Sequence, residues 1–282
     1  MLKKIGVLYH PKVEATREKA GDIEAFLNTQ GVSAWTCSSW DSKKAEPLLE
    51  GTDLIITVGG DGTILRAAHI AYATKTPITG INLGKLGFLT ELDIDEVLAK
   101  LPAVLNEEGW IDERIMLQAE VVIDGKTQVY HALNDVVVAR GEIARLIRVE
   151  ASIGGQPLAT YKTDGLIVAT ATGSTGYAMA AGGPIIYPQS SDLLMVPIAP
   201  HLSMDNPLVL PGEVEIELVL DTYHSATLSV DGHVNIKLSG GDTVKLKRSN
   251  QTTRFWRVCP QSYFYTNLEE KLYGKRYKGR KS

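Results

Sequence analysis

Cysteine is scarce in this sequence: Cys37 and Cys259 stand alone, with no CxxC pair and no Cys/His cluster. That excludes a disulfide framework and a structural zinc site, so both thiols read as ordinary buried or near-surface side chains. Long apolar runs are missing too. No stretch approaches the roughly 20 residues of a membrane span, and the amino terminus MLKKIGVLYH has no signal-peptide pattern. The expectation is a cytoplasmic protein that does not enter a membrane. There is no excess of positive charge, the formal net charge being −4, which argues against nucleic acid as a partner. Two phosphate-binding signatures are lacking as well: GxxxxGK(S/T) of the P-loop enzymes, and GxGxxG after a strand, the mark of the usual dinucleotide dehydrogenases. His10, His69, His131, His201 and His224 show neither metal-ligand nor nucleophile spacing, and no metal site is expected from side chains alone.

What is present centres on Leu54 to Ala68, LIITVGGDGTILRAA. Leu54, Ile55, Ile56 and Val58 form a short apolar run with β-branched residues, the pattern of a strand buried on both faces of a parallel sheet. Gly59, Gly60 and Gly62 interrupt it, and helix-favouring residues resume at Ile64. A strand, glycine turn and helix in that order lets the backbone approach a ligand, and the free amides of a helix start attract phosphate. Asp61 is the odd member. A carboxylate in such a turn repels phosphate unless it binds Mg²⁺ or accepts a proton from a hydroxyl being phosphorylated. The turn therefore reads as a phosphoryl-transfer site, against the plainer alternative of a tight turn with Asp61 as N-cap.

The 282 residues are enough for two domains. Strands at Ile5 to Tyr9, Val32 to Cys37, Leu54 to Val58 and Pro77 to Asn82 alternate with helical stretches at Glu14 to Thr29 and after Thr63, and a further helix is expected over Asp95 to Asn106. This is the pattern of a Rossmann-like open α/β sheet, whose ligands bind beyond the carboxyl ends of the strands. The segment GINLGKLGFLTEL, Gly80 to Leu92, is a glycine-spaced loop in which Phe88 either faces a ligand or plugs the core. From about Gly109 the texture changes to many short strands. Asp124-Gly125 joins two of them in a hairpin, and others are expected at Asp135 to Ala139, Leu146 to Ile153, Leu166 to Ala169, Leu193 to Ile198, Val214 to Leu220, Ala226 to Val230, His233 to Leu238 and Thr243 to Lys247. The expected division is an α/β domain over residues 1–108, completed by 253–282, and an all-β, sandwich-like domain over 109–252. The basic end, Lys275 to Lys281, reads as a solvated terminus.

GGDGT is shared by phosphofructokinases, diacylglycerol and sphingoid lipid kinases, and NAD kinases. Two later segments choose among them: ALNDVVVARG, Ala132 to Gly141, and YKTDGLIVATATGSTGYAMAAGGP, Tyr161 to Pro184. With GGDGT and GINLGKLGFL they resemble the NAD kinase family, four motifs in the family's order across most of the chain. The resemblance implies transfer of the γ-phosphoryl group of ATP, or of polyphosphate, to the 2′-hydroxyl of the adenosine ribose of NAD. Asp61 would be the proton acceptor, Gly62 its unobstructed neighbour, and Arg66 a phosphate contact. Asn134 and Asp135 would bond the dinucleotide's hydroxyls and base, Asp135 standing where Glu is more usual. Lys162 and Asp164 occupy substrate-contacting positions, with Lys162 in place of the more frequent arginine. Thr175, Gly176, Tyr177, Ala178, Met179 and Ala180 would line the adenine and nicotinamide ends, in a segment reading TATGSTGY rather than TPTGSTAY. Phe88, Arg145 and His233 complete the implied contacts. The family also implies Mg²⁺ with the donor's phosphates and a homo-oligomer, dimer or tetramer. A lipid kinase would account for GGDGT alone, and a non-catalytic NAD(P)-sensing module would keep the pocket without turnover.

Overall fold

Leu54–Val58 is buried at every position, as its unbroken apolar run requires of a strand covered on both faces. In the computed structural model, which describes residues 2–84, 87–123, 125–141 and 145–274, the chain divides into two compact units. One holds residues up to Glu113 together with those from Thr253 onward; the other runs from Arg114 to Thr252. Lys85 and Leu86 of the glycine-spaced loop, Asp124 of the hairpin turn and the basic tail Lys275 to Lys281 lie outside the described residues.

The first unit carries a parallel sheet in the order Ser33–Ser38, Lys4–Tyr9, Leu54–Val58, Ile78–Asn82. Phe255 pairs with Ile78 in parallel on its far side. Helix Glu14–Thr29 turns Ala20, Ile23 and Leu27 inward at helical spacing, onto Ile5, Val7, Leu54, Ile56 and Val58. Helix Asp61–Ala71 follows the glycine turn, and Val97–Leu105 forms within the helical stretch expected there. The polar connection before Leu54 is more ordered than its composition suggests. Asp41 accepts the amide of Lys44 at 3.2 Å and caps a short helix, Ser42–Ala45, which passes into a 3₁₀ turn, Glu46–Leu49.

The second unit is built from β-sheet. One sheet orders Leu208–Leu210, Leu193–Ile198, Gly165–Thr170, Asp135–Arg140, Ala226–Val230 and Val234–Leu238, antiparallel throughout. Gln156–Thr163, Ile147–Ile153, Ile216–Leu220 and the first part of Thr243–Arg257 pair in that order elsewhere. Alternate residues of these strands, among them Val136, Val138, Val149, Leu166, Val168, Leu218 and Leu228, share one core, which makes the unit sandwich-like. The opposite parity, Val137, Ile167, Ala169, Leu194 and Val196, packs with Ala178 of the short helix Tyr177–Ala180. Two strands run much longer than their sequence signals. Thr243–Arg257 continues where only Thr243 to Lys247 alternates clearly, and Trp110–Ile123 begins well before Met116. Gln156–Thr163, hidden in a stretch with Pro157 and few core residues, is a strand the sequence pattern does not announce.

Candidate functional site

At the end of Leu54–Val58 the backbone reaches Gly59 with φ +154°, and a Cβ there would lie 2.3 Å from Thr63 Oγ1. Only glycine closes this turn. The helix that follows takes Gly60 as its N-cap, so Asp61 is the first helical residue and not the cap that the plainer reading made it. Its half-buried carboxylate points instead to the glycine-spaced loop. Phe88 donates its backbone N–H to Oδ2 at 2.9 Å and Leu89 donates to Oδ1 at 3.1 Å. Gly87 makes that approach feasible, because a Cβ on it would come within 2.1 Å of Oδ1. Each carboxylate oxygen accepts one amide and keeps a lone pair for a further donor. Gly62 is exposed, with open space around the position of a Cβ.

The loop that grips Asp61 is itself held from behind. Arg257, 6% exposed, donates from Nη1 to the Leu89 carbonyl at 2.8 Å and to Glu91 Oε2 at 3.2 Å, and from Nε to Asp112 Oδ2 at 3.2 Å. Glu91 Oε1 in turn accepts the amides of Val258 and Cys259 at 2.9 and 2.7 Å. Leu89 is thus clamped on both sides, its N–H to Asp61 and its carbonyl to Arg257. Burial, with Glu91 beside it, pushes the Cys259 thiol up to about 11, leaving it an unreactive thiol. The half-buried ring of Phe88 lies under the Lys271 ammonium, 5.9 Å from the centroid, and Lys271 donates to the Phe88 carbonyl at 3.3 Å. The Arg66 guanidinium stacks on Trp40 at 4.7 Å, and partial burial lowers its pKa from the usual value.

The second unit gathers another group. Asp231 accepts the backbone amides of Leu133, Asn134 and Asp135 at 2.8, 2.8 and 3.0 Å. It does so with φ +46°, a left-handed conformation that Asp adopts more readily than most residues. Gly173 packs so tightly under Asn134 that a Cβ would lie 2.0 Å from its carbonyl oxygen, and one on Gly176 would stand 3.3 Å from Asn134 Nδ2 and 3.7 Å from Asp135 Oδ2. Asn134, Asp135, Gly176 and, next in the chain, Tyr177 therefore share one spot. Asn134 Oδ1 is buried without a hydrogen-bond partner, an acceptor aimed at something other than the protein. Burial, then the neighbouring charge of Asp231, pushes Asp135 up from the usual 3.8 to about 7.

The other residues singled out in the sequence have contacts of their own. Asp164 pairs with Arg140 at 3.2 Å, whereas Lys162 and Arg145 are exposed. His233 Nδ1 lies 3.1 Å from the Asp231 carbonyl, an interaction within its own hairpin. Thr175 Oγ1 donates to the Thr172 carbonyl at 3.1 Å. In the helix Tyr177–Ala180, Tyr177 and Ala180 are exposed, Met179 is half-buried and Ala178 is buried. Sequence reasoning missed Asp231, Arg140 and the set Arg257, Glu91 and Asp112. Asp231 carried a visible signal, but Asp-Gly reads first as a hairpin turn. For Arg257 no local pattern exists, since its partners are far away in the chain.

The sequence profile of the ATP-NAD kinase N-terminal domain matches residues 7–109, and that of the ATP-NAD kinase C-terminal domain matches residues 133–258. An NAD kinase of Dehalococcoides mccartyi is 46% identical over 276 residues, covering 97% of this chain and 97% of its own. One from Chloroflexus aurantiacus is 40% identical over 273 residues, covering 96% and 99%. Among solved structures, yeast NADH kinase complexed with NADH superposes with a TM-score of 0.86 at 26% identity, over 100% of this chain and 90% of that one. An NAD kinase from Archaeoglobus fulgidus in complex with ATP superposes with a TM-score of 0.77 at 28% identity, over 96% and 99%. The lipid-kinase and sensing-module readings draw no support from these relatives. Profiles, full-length relatives and fold agree: the chain belongs to the NAD kinase family, phosphotransferases that convert NAD to NADP.

Proposed function

We propose that the chain moves the γ-phosphoryl group of ATP onto the 2′-hydroxyl of the adenosine ribose of NAD, with Asp61 as the proton acceptor. The hydroxyl oxygen bonds to phosphorus as its proton passes to the Asp61 carboxylate, the bond to the bridging oxygen breaks, and ADP leaves. One observation carries this reading. Asp61 stands at a helix start beside the bare Gly62, its two oxygens oriented by the Phe88 and Leu89 amides and each still able to accept a hydrogen bond. On the same reading Asn134 and Asp135 take the dinucleotide's hydroxyls and base, the unpartnered Asn134 Oδ1 being one acceptor. Asp135, near its midpoint at neutral pH, either donates or accepts there. Tyr177 offers a ring to stack on, and Thr175, Gly176, Ala178, Met179 and Ala180 line the same stretch. Lys162, Arg145, Asp164, Phe88 and His233 supply outer contacts, and Arg66 faces phosphate.

Mg²⁺ enters in this scheme as part of the substrate, bound to the donor's phosphates. The described residues contain no group of three or more His, Cys, Asp or Glu that could hold a metal ion by themselves. Polyphosphate is a second donor of the same chemistry. The two domains of the reading are 1–108 with 253–282, and 109–252. The enzyme is taken to work in the cytoplasm as a dimer or tetramer, an assembly that sedimentation of the purified chain would test. No described helix is long and apolar enough to cross a membrane.

The test of the chemistry is NADP formation from NAD and Mg-ATP by the parent and by Asp61→Asn. The expected loss in kcat is about 10²- to 10⁴-fold, with NAD binding retained. A variant that keeps the parental kcat removes Asp61 from the reaction.

A further inference from the structure

Two cations of the first unit face one indole. Lys12 Nζ lies 4.8 Å from the centroid of the Trp40 ring and the Arg66 guanidinium 4.7 Å from it. His10 meets the same ring edge-on at 5.7 Å. These residues come from three separate connections. Lys12 follows strand Lys4–Tyr9, Trp40 follows Ser33–Ser38, and Arg66 belongs to the helix after Leu54–Val58. The three strands are parallel and adjacent, so the connections leave the sheet at one edge. The chain passes from Lys4–Tyr9 outward to Ser33–Ser38 and then back across to Leu54–Val58. A reversal of this kind opens the crevice in which open α/β sheets bind ligands. The glycine turn borders the cluster: a Cβ on Gly59 would touch His10 Cβ at 3.5 Å.

Among the described residues neither Lys12 nor Arg66 forms an ion pair. Stacking on an indole holds a cation in place without neutralising it. Two like charges gathered on one ring repel each other, and an anion bridging them relieves that repulsion. Trp40 is 44% exposed, so the cluster is open to a ligand, and a single phosphate chain is long enough to reach both cations. The chain has no P-loop lysine for that task.

We propose that Lys12, Arg66 and Trp40 form the docking site for the phosphate chain of the phosphoryl donor, a nucleoside triphosphate or an inorganic polyphosphate. This rests on the phosphoryl-transfer reading above and assigns its donor side. Trp40 fixes the two cations, the cations neutralise the chain, and the helix start that carries Asp61 lies next to them. Specificity for phosphate over base follows from the contacts, which are two cationic side chains held on one indole.

The test uses the full chain with Lys12→Ala and Trp40→Ala, both at exposed positions. KM for ATP and KM for NAD are measured separately in NADP formation, and binding of inorganic tripolyphosphate is measured by calorimetry. Expected is a rise of about five- to tenfold in KM for ATP in each variant, a matching loss of tripolyphosphate affinity, and a KM for NAD unchanged. An unchanged KM for ATP overturns the proposal. So does an equal rise in KM for NAD, or a loss for ATP with tripolyphosphate binding intact, which would move the contact to the base. Should the parent make no NADP, the transfer reading fails, and the tripolyphosphate measurement still decides the docking site.

Discussion

Asp61 and Asp231 are both carboxylates seated in backbone amides, one in each unit, and they put those amides to opposite use. Asp61 accepts two, from Phe88 and Leu89, and remains half-buried with lone pairs to spare. Asp231 accepts three, from Leu133, Asn134 and Asp135, and is buried. In the first case the loop presents the carboxylate. In the second the carboxylate presents the loop, leaving Asn134 Oδ1 unpartnered and Asp135 beside it. On the reading proposed above, the amides orient an anion for reaction in the first seat, while in the second an anion orients amides whose neighbours bind substrate. On that reading the same kind of charge-assisted bond serves chemistry at one place and recognition at the other.

The largest expected effect lies behind the first of these seats. Arg257 pairs with both Glu91 and Asp112, and all three are buried. A pair of this kind adds little over an apolar filling, but removing one partner strands charge in the interior. Arg257→Met is therefore expected to destabilise the chain by about 3–5 kcal/mol, read by denaturant unfolding. A loss below about 1 kcal/mol would mean that the carboxylates are hydrated or neutral and that the loop carrying Phe88 and Leu89 does not depend on Arg257.

That dependence is also where sequence reading stops. Leu54 to Ala68 displayed its strand, turn and helix because every signal in it is local: an apolar run, three glycines, then helix formers. Asp61 stood out because its charge disagrees with a phosphate turn. Asn134, Asp135 and the stretch from Thr175 to Ala180 came into view through resemblance, since nothing in an Asn-Asp pair by itself announces a ligand. Arg257 is bonded to residues 145 and 166 positions away, and no periodicity spans such a distance. Trp40 and Lys12 likewise read as loop residues until parallel strand pairing brings them to one edge. The short helix Ser42–Ala45 was obscured for the opposite reason, being four residues whose cap is local but whose composition is that of a connection.

A middle-sized effect separates the two seats by pH. Asp135 holds its proton up to about 7 in the folded chain, against 3.8 when unfolded. Between those values the folded state binds more protons, so this group's contribution to stability is full below the lower one and is lost as pH rises through the upper one. Asp135→Asn keeps the shape and removes the titration. In thermal melts of the ligand-free chain the variant should match the parent below about pH 4 and exceed it at about pH 8 by roughly 2 kcal/mol, half the ceiling of about 4 that a shift of this size sets. An offset that stays the same across that range would show that Asp135 is not buried beside Asp231 as an acid.

The smallest effects set glycine against glycine. Gly87 and Gly173 each pass closer to a neighbour than a side chain allows, but the neighbours differ: Gly87 meets the Asp61 carboxylate at 2.1 Å, Gly173 the Asn134 backbone at 2.0 Å. A carboxylate on a side chain can swing aside at small cost, whereas a main-chain carbonyl that also accepts the Thr170 amide at 2.9 Å cannot. Gly173→Ala should therefore register as overpacking, about 1–3 kcal/mol of stability. Gly87→Ala should leave the melting temperature nearly unchanged and lower kcat by about tenfold, because the displaced carboxylate loses its two amides and its aim. If Gly87→Ala instead melts early with kcat intact, the loop is a structural plug, and the orientation of Asp61 is set by its own helix.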